Sequence, residues 1–226
     1  LGQNADGSYR TNQIDDILGS EMSRWIDMRL AAIGWGEGTA RFIRPERLAE
    51  ILLHSVCNDF ASDTYPIQDN LIQMMGEVAG TDVLSLEPAL AFREKLGNPK
   101  NRALTFDLIR LYALSLDPEQ TNADWRNGAA LYLNGLNALA LAVERDALRQ
   151  VFGDNRGPAI QDRVDDYLLD ERNHAFVATA LPDLTKGGVF MAIGSWHLPG
   201  ENGMVELLRE AGFTVTRIAL PREAAE

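Results

Sequence analysis

With 226 residues, 46% of them hydrophobic and 24% charged, the chain is long enough to bury a core and too apolar to remain disordered. A net charge of −12 repels phosphate backbones and excludes nucleic acid as a partner. No apolar run approaches the roughly 20 residues that a membrane span needs.

The single cysteine, Cys57, excludes an intrachain disulfide and reads as a small buried hydrophobe. The chain opens on Leu1 rather than Met, as a processed or truncated N-terminus does. Residues 1–10 are polar and rich in Gly, Asn and Asp, which predicts a loop. Thr11 precedes Ile14, Ile17 and Leu18, with Asp15 and Asp16 near the start, the pattern of a short capped helix. Met22, Trp25, Ile26, Leu30 and Ile33 share one face of a longer helix over 20–33. The Gly34-Trp35-Gly36-Glu37-Gly38 cluster ends it. Because that cluster follows a helix and lacks a Lys-Ser/Thr pair, it is no phosphate loop.

Pro45 suits the first turn of the next helix, which carries Leu48, Ile51 and Leu52. Residues 69–78 predict another, with Leu71, Ile72, Met75 and Val78 apolar and Met74 and Met75 read as core filler. The period then changes. Val83, Leu84, Ser85 and Leu86 form a short β-type run after the Gly80-Thr81-Asp82 turn, and Pro88 stops it, so Glu87 falls at a strand end.

From Leu104 to Phe152 the pattern is helical, with breaks expected at Asp117-Pro118 and around Asn127-Gly128. A further helix over 159–181 places Ile160, Val164, Tyr167, Leu168, Phe176 and Val177 inward. Lys186-Gly187-Gly188 ends it, and residues 189–193 read as a buried strand. A loop to Gly200, a helix over 202–211 closed by Gly212, and a strand over 213–220 complete a βαβ unit. The expected fold is therefore α/β, a central mostly parallel sheet with flanking helices. It forms one domain over 1–226, with a helical insertion over 98–155 and the terminal helix and βαβ unit over 159–226.

In open α/β sheets ligands bind beyond the carboxyl ends of the strands. Glu87 and His197 occupy two such ends, so neighbouring strands would bring a carboxylate and an imidazole to one edge. Gly194 would turn the backbone sharply, and Gly200 and Gly203 flank a helix start whose N–H groups suit an anion. A general base, a metal ligand and an anion site all fit this pattern. Against it stand plainer readings. A lone histidine beside Trp196 and Leu198 is more often a packed loop residue, Glu87 could cap the next helix, and Arg172 could be a surface ion-pair partner. His54 and His174 have no constellation around them.

These residues resemble the TraB/GumN family, which includes the Tiki proteins. The match rests on Glu171-Arg172-Asn173, on the run from Gly187 through Gly194-Ser195-Trp196-His197-Leu198-Pro199-Gly200, and on Gly203, Leu207-Leu208 and Gly212-Phe213-Thr214-Val215. Upstream, Pro66-Ile67-Gln68-Asp69 through Glu87 resembles a family segment ending in Leu-Glu. The family carries two Gly-x-x-His motifs in a pseudo-repeated α/β fold, with an essential Glu and Arg. Here His197 belongs to the second motif, Glu87 is similar to the acidic residue and Arg172 to the Arg. No Gly-x-x-His precedes Gly194, so the sequence as given holds half of that pattern.

The resemblance implies an Mn²⁺- or Co²⁺-dependent hydrolase or peptidase of the bacterial cell envelope or periplasm. His197 and Glu87 would hold the metal, and Arg172 would act with them on a peptide or protein substrate. Glu171, Asn173, Gly194 and Gly200 would line the substrate site. The alternative is a catalytically inactive member that serves as a binding or accessory subunit, with a protein partner or a second copy. A serine esterase lacks its Gly-x-Ser-x-Gly elbow here.

Overall fold

Helices form wherever apolar residues recur at helical spacing. The computed structural model describes residues 2–53, 68–116 and 121–218, which group into two units dividing after Val164. Cys57, His54, Pro66-Ile67 and the Asp117-Pro118 break lie outside the described residues.

The first unit holds α1 (Ile14–Leu18), α2 (Ser20–Ala32), α3 (Pro45–Leu53), α4 (Gln68–Val78) and α5 (Ala91–Gly97). After these come α6 (Arg102–Leu114), α7 (Thr121–Leu133), α8 (Asn137–Phe152) and α9 (Arg156–Asp165). Its centre is α3 packed on α6, with α2 and α5 alongside. Leu48 and Leu52 of α3, Leu108 and Ile109 of α6, and Ile26 and Leu30 of α2 are buried there. Each such side chain contributes about 1.5–3 kcal/mol through the water it leaves.

Two polar devices hold this core. Asn12 is buried and donates from Nδ2 to the carbonyls of Ala40 (2.7 Å) and Ile43 (2.8 Å), while its Oδ1 accepts from the Ile14 amide at 3.0 Å. Asp107 on α6 is buried between two guanidiniums, Arg110 at 2.6 Å and Arg163 of α9. Arg110 also reaches the Ile17 carbonyl at 3.4 Å.

Gly157 permits the approach of α9 to α8, for a Cβ there would lie 2.4 Å from the Leu148 carbonyl oxygen. The break expected at Asn127-Gly128 does not occur, because α7 runs through both residues. The chain turns instead before α8 at Gly135, whose φ of 68° needs no Cβ. Met74 and Met75 are not core filler: both are exposed, Met75 at 64%.

The second unit holds a π-helical turn (Asp166–Asp170), α10 (Glu171–Leu184), a 3₁₀ turn (Ser195–His197) and α11 (Met204–Glu210). Within it α10 packs on α11, and the π turn packs on the 3₁₀ turn.

The central parallel sheet is not formed. Among the described residues there is no strand, only an isolated antiparallel bridge between Gln3 and Tyr9. The stretches 83–86, 189–193 and 213–218 lack helix and ladder alike, with Phe190 80% and Ile218 85% exposed. The architecture is helical, and neither the α/β class nor the βαβ unit applies. The physical reason is that β-branched and apolar residues favour extended backbone, but a strand exists only once a neighbour takes its N–H and C=O groups.

Candidate functional site

The site in the second unit begins with the buried face of α10. Asn173, Phe176 and Ala180 recur at i, i+3 and i+7 and are all buried. After α10 the chain turns at Gly187 and Gly188, with φ of 81° and 71°. Gly194 does not make the sharp turn expected of it. Its φ of −61° and ψ of 142° suit any residue. The 3₁₀ turn does that work, with the His197 amide donating to the Gly194 carbonyl at 3.0 Å and the Leu198 amide to Ser195 at 3.2 Å.

The loop then closes through backbone contacts. Gly200 has a φ of 98°, and its carbonyl accepts from the Gly203 amide at 3.0 Å. A Cβ on Gly203 would lie 2.4 Å from the Pro199 carbonyl oxygen and 2.5 Å from that of Leu198. The Val205 amide turns to the Leu198 carbonyl at 3.5 Å. The start of α11 is thus committed to its own loop, and the anion site expected at this helix N-terminus is not what the geometry offers.

His197 sits at the end of the 3₁₀ turn, 9% exposed. Its Nδ1 lies 2.6 Å from Asn173 Oδ1. The amide nitrogen of Asn173 faces two carbonyls, Asn202 at 2.7 Å and His197 at 3.4 Å. Because that nitrogen is a donor to both, the atom turned to the imidazole is the acceptor oxygen. Nδ1 therefore carries the proton in the neutral ring, and Nε2 carries the lone pair. The Phe176 ring packs on the imidazole at 5.3 Å between centroids.

Arg172 lies on the same helix, with its guanidinium over Phe176 at 5.3 Å and Nη1 donating to the Leu168 carbonyl at 3.2 Å. Arg172 and His197 thus both contact Phe176. Glu171 is exposed in the first turn of α10. Glu87 belongs to the first unit, at a half-buried bend before α5, where its carbonyl accepts from the Ser85 hydroxyl at 2.6 Å. Three residues of the second-unit cluster escaped the sequence reading of the site: Phe176, Asn202 and Asp170, whose carboxylate accepts from Asn202 Nδ2 at 2.8 Å. The signal was partly there, since Asp170, Asn173 and Phe176 recur every third residue.

A neutral imidazole held at one nitrogen and carrying its lone pair on the other is the form that binds Mn²⁺ or Co²⁺. His197 fits one position of such a shell. Among the described residues, no three His, Cys, Asp or Glu side chains converge to complete it.

The TraB/PrgY/gumN family model matches residues 4–217, nearly the whole chain. No curated protein and no solved structure matches it.

Proposed function

Because the chain belongs to the TraB/PrgY/gumN family, we propose that it is a metal-dependent hydrolase acting on peptides or proteins, with His197 as its reactive imidazole. The observation that carries this reading is the Asn173–His197 hydrogen bond, which fixes the ring and its tautomer. His197 Nε2 would hold Mn²⁺ or Co²⁺, and the ion would supply Lewis acidity toward a substrate carbonyl.

The chain's own residues do the rest. Asn173 and Phe176 keep the imidazole in one orientation, which spares the reaction the cost of ordering it. Arg172 carries a planar guanidinium seated on the same aromatic ring, suited to a substrate carboxylate or a developing oxyanion.

A second reading, a catalytically inactive binding or accessory subunit, draws support from the apolar residues exposed around α7 and α8. These include Tyr132, Leu133, Leu136, Leu139 and Val143.

Metal content and Mn²⁺ and Co²⁺ affinity separate the two, measured beside His197→Ala and Glu87→Gln and followed by a peptide-hydrolysis screen. Stoichiometric binding that His197→Ala abolishes, with hydrolysis lost alongside, supports the hydrolase. Absence of binding and hydrolysis in the parent protein overturns it and favours the subunit.

A further inference from the structure

We propose that Asn173 is a positioning residue for His197, and that Asp170, acting through Asn202, holds Asn173 in that role. The inference rests on His197 being the reactive imidazole, and it moves Asn173 from the substrate-contacting role that the family resemblance implies.

Asn173 is 1% exposed, so its amide cannot turn to water and each group must find a protein partner. Leaving one unmet destabilises the folded state. The two carbonyls that Nδ2 meets, those of His197 and Asn202, stand at either end of the site loop. One side chain thus spans the loop and presents its remaining oxygen to the imidazole. Rotating the amide by half a turn would set its oxygen against those carbonyls and its nitrogen against Nδ1–H, so the orientation is fixed from three sides.

Asn202 is held in turn. Its side-chain nitrogen donates to Asp170 Oδ2 while its carbonyl accepts from Asn173, so one residue joins the acid to the amide. Asp170 ends the π turn, which packs on the 3₁₀ turn carrying His197. A π turn inside a helical stretch is an irregularity frequently found at functional sites. Here its last residue is the acid that holds the Asn202 side chain. An amide rather than a carboxylate at position 173 orients the ring without placing a negative charge against it.

The test reads the imidazole itself. In metal-free protein at one fixed pH, the two ring ¹⁵N resonances of His197 report which nitrogen is protonated. The parent protein shows Nδ1–H only. Asn173→Leu removes every hydrogen bond at similar volume, and the two resonances collapse toward their average. Asp170→Ala broadens the Asn202 and His197 signals and partly mixes the tautomers.

An unchanged Nδ1–H tautomer in Asn173→Leu, or His197 and Asn202 signals in Asp170→Ala identical to the parent, would overturn the proposal. Circular dichroism checks that each variant is folded. Should Asn173→Leu unfold, Asp170→Ala still decides. In parallel, Mn²⁺ affinity falls about 10–100-fold in Asn173→Leu. Tautomer loss in a protein that binds no metal would end the hydrolase reading and leave the positioning role standing. A retained tautomer in an active enzyme would do the reverse.

Discussion

His197 Nδ1 and Asn173 Oδ1 meet at 2.6 Å across a sequence separation of 24 residues. The contact joins a helix to a 3₁₀ turn, and it depends on the turn closing as it does. The residue that makes this closure feasible is Gly203, whose α-hydrogen faces the Leu198 and Pro199 carbonyls.

Gly203→Ala should therefore disturb the site from a distance. A methyl group 2.4 Å from a carbonyl oxygen forces the loop to shift, at a cost of about 1–3 kcal/mol. Gly194→Ala is the contrasting variant. Its Cβ would meet His197 Cδ2 at 3.6 Å, ordinary contact, and its backbone is already extended. Thermal unfolding of the pair should show a clear loss for Gly203→Ala and a change within about 0.5 kcal/mol for Gly194→Ala. Equal losses would contradict the loop geometry.

The first unit offers a matched test of close packing. Gly157→Ala sets a methyl group 2.4 Å from the Leu148 carbonyl oxygen, backbone that cannot rotate away. Urea denaturation should report a loss of about 1–3 kcal/mol. A neutral result would mean that α8 and α9 do not approach at this residue.

Asp107 should be the costliest single carboxylate to remove. Its loss leaves the largely buried Arg110 without its charge partner, and breaking such a buried pair costs about 3–5 kcal/mol. Asp107→Ala should lower stability on that scale. The double variant with Arg110→Leu should recover part of it, and no recovery would assign the loss to packing rather than charge.

Glu50 predicts a pH dependence. Burial would raise its pKa, but hydrogen bonds from Arg93 and Arg47 and their charges outweigh that and hold it below its ordinary value. A carboxylate depressed on folding adds stability that is present above its unfolded pKa and is lost as pH falls through the folded one. Glu50→Gln should thus cost about 0.5–1 kcal/mol at pH 7. The gap from the parent protein should narrow as the solution is acidified and Glu50 becomes protonated in the folded protein, and a gap that does not change with pH would point away from charge.

Helices were legible because periodicity is local. Ile26 and Leu30 announce α2 as Leu48 and Leu52 announce α3; α2 lies within a residue of its expected bounds, and α3 starts at Pro45 as expected. The absence of strands was not, because the same apolar run serves equally well as a strand or an unladdered segment, and nothing within residues 189–193 states whether a neighbour exists. Gly128 looked like a breaker yet sits inside α7, while Gly135 ends the turn because the chain there needs positive φ. His197 was marked as a site residue by its expected place past a strand end and Asn173 through the family resemblance. Their pairing was not, since 24 intervening residues must fold before the two side chains meet. Asp170 and Asn202 were invisible as partners for the same reason.

The site loop owes its shape to main-chain groups: three glycine-dependent contacts and two carbonyls gripped by one amide. The side chains around its rim, Trp196, Leu198 and Glu201, are exposed and contribute none of those restraints. Such a loop separates scaffold from surface. Its outer residues form a face on which variation, natural or engineered, can redirect what is recognised while the imidazole beneath stays where it is.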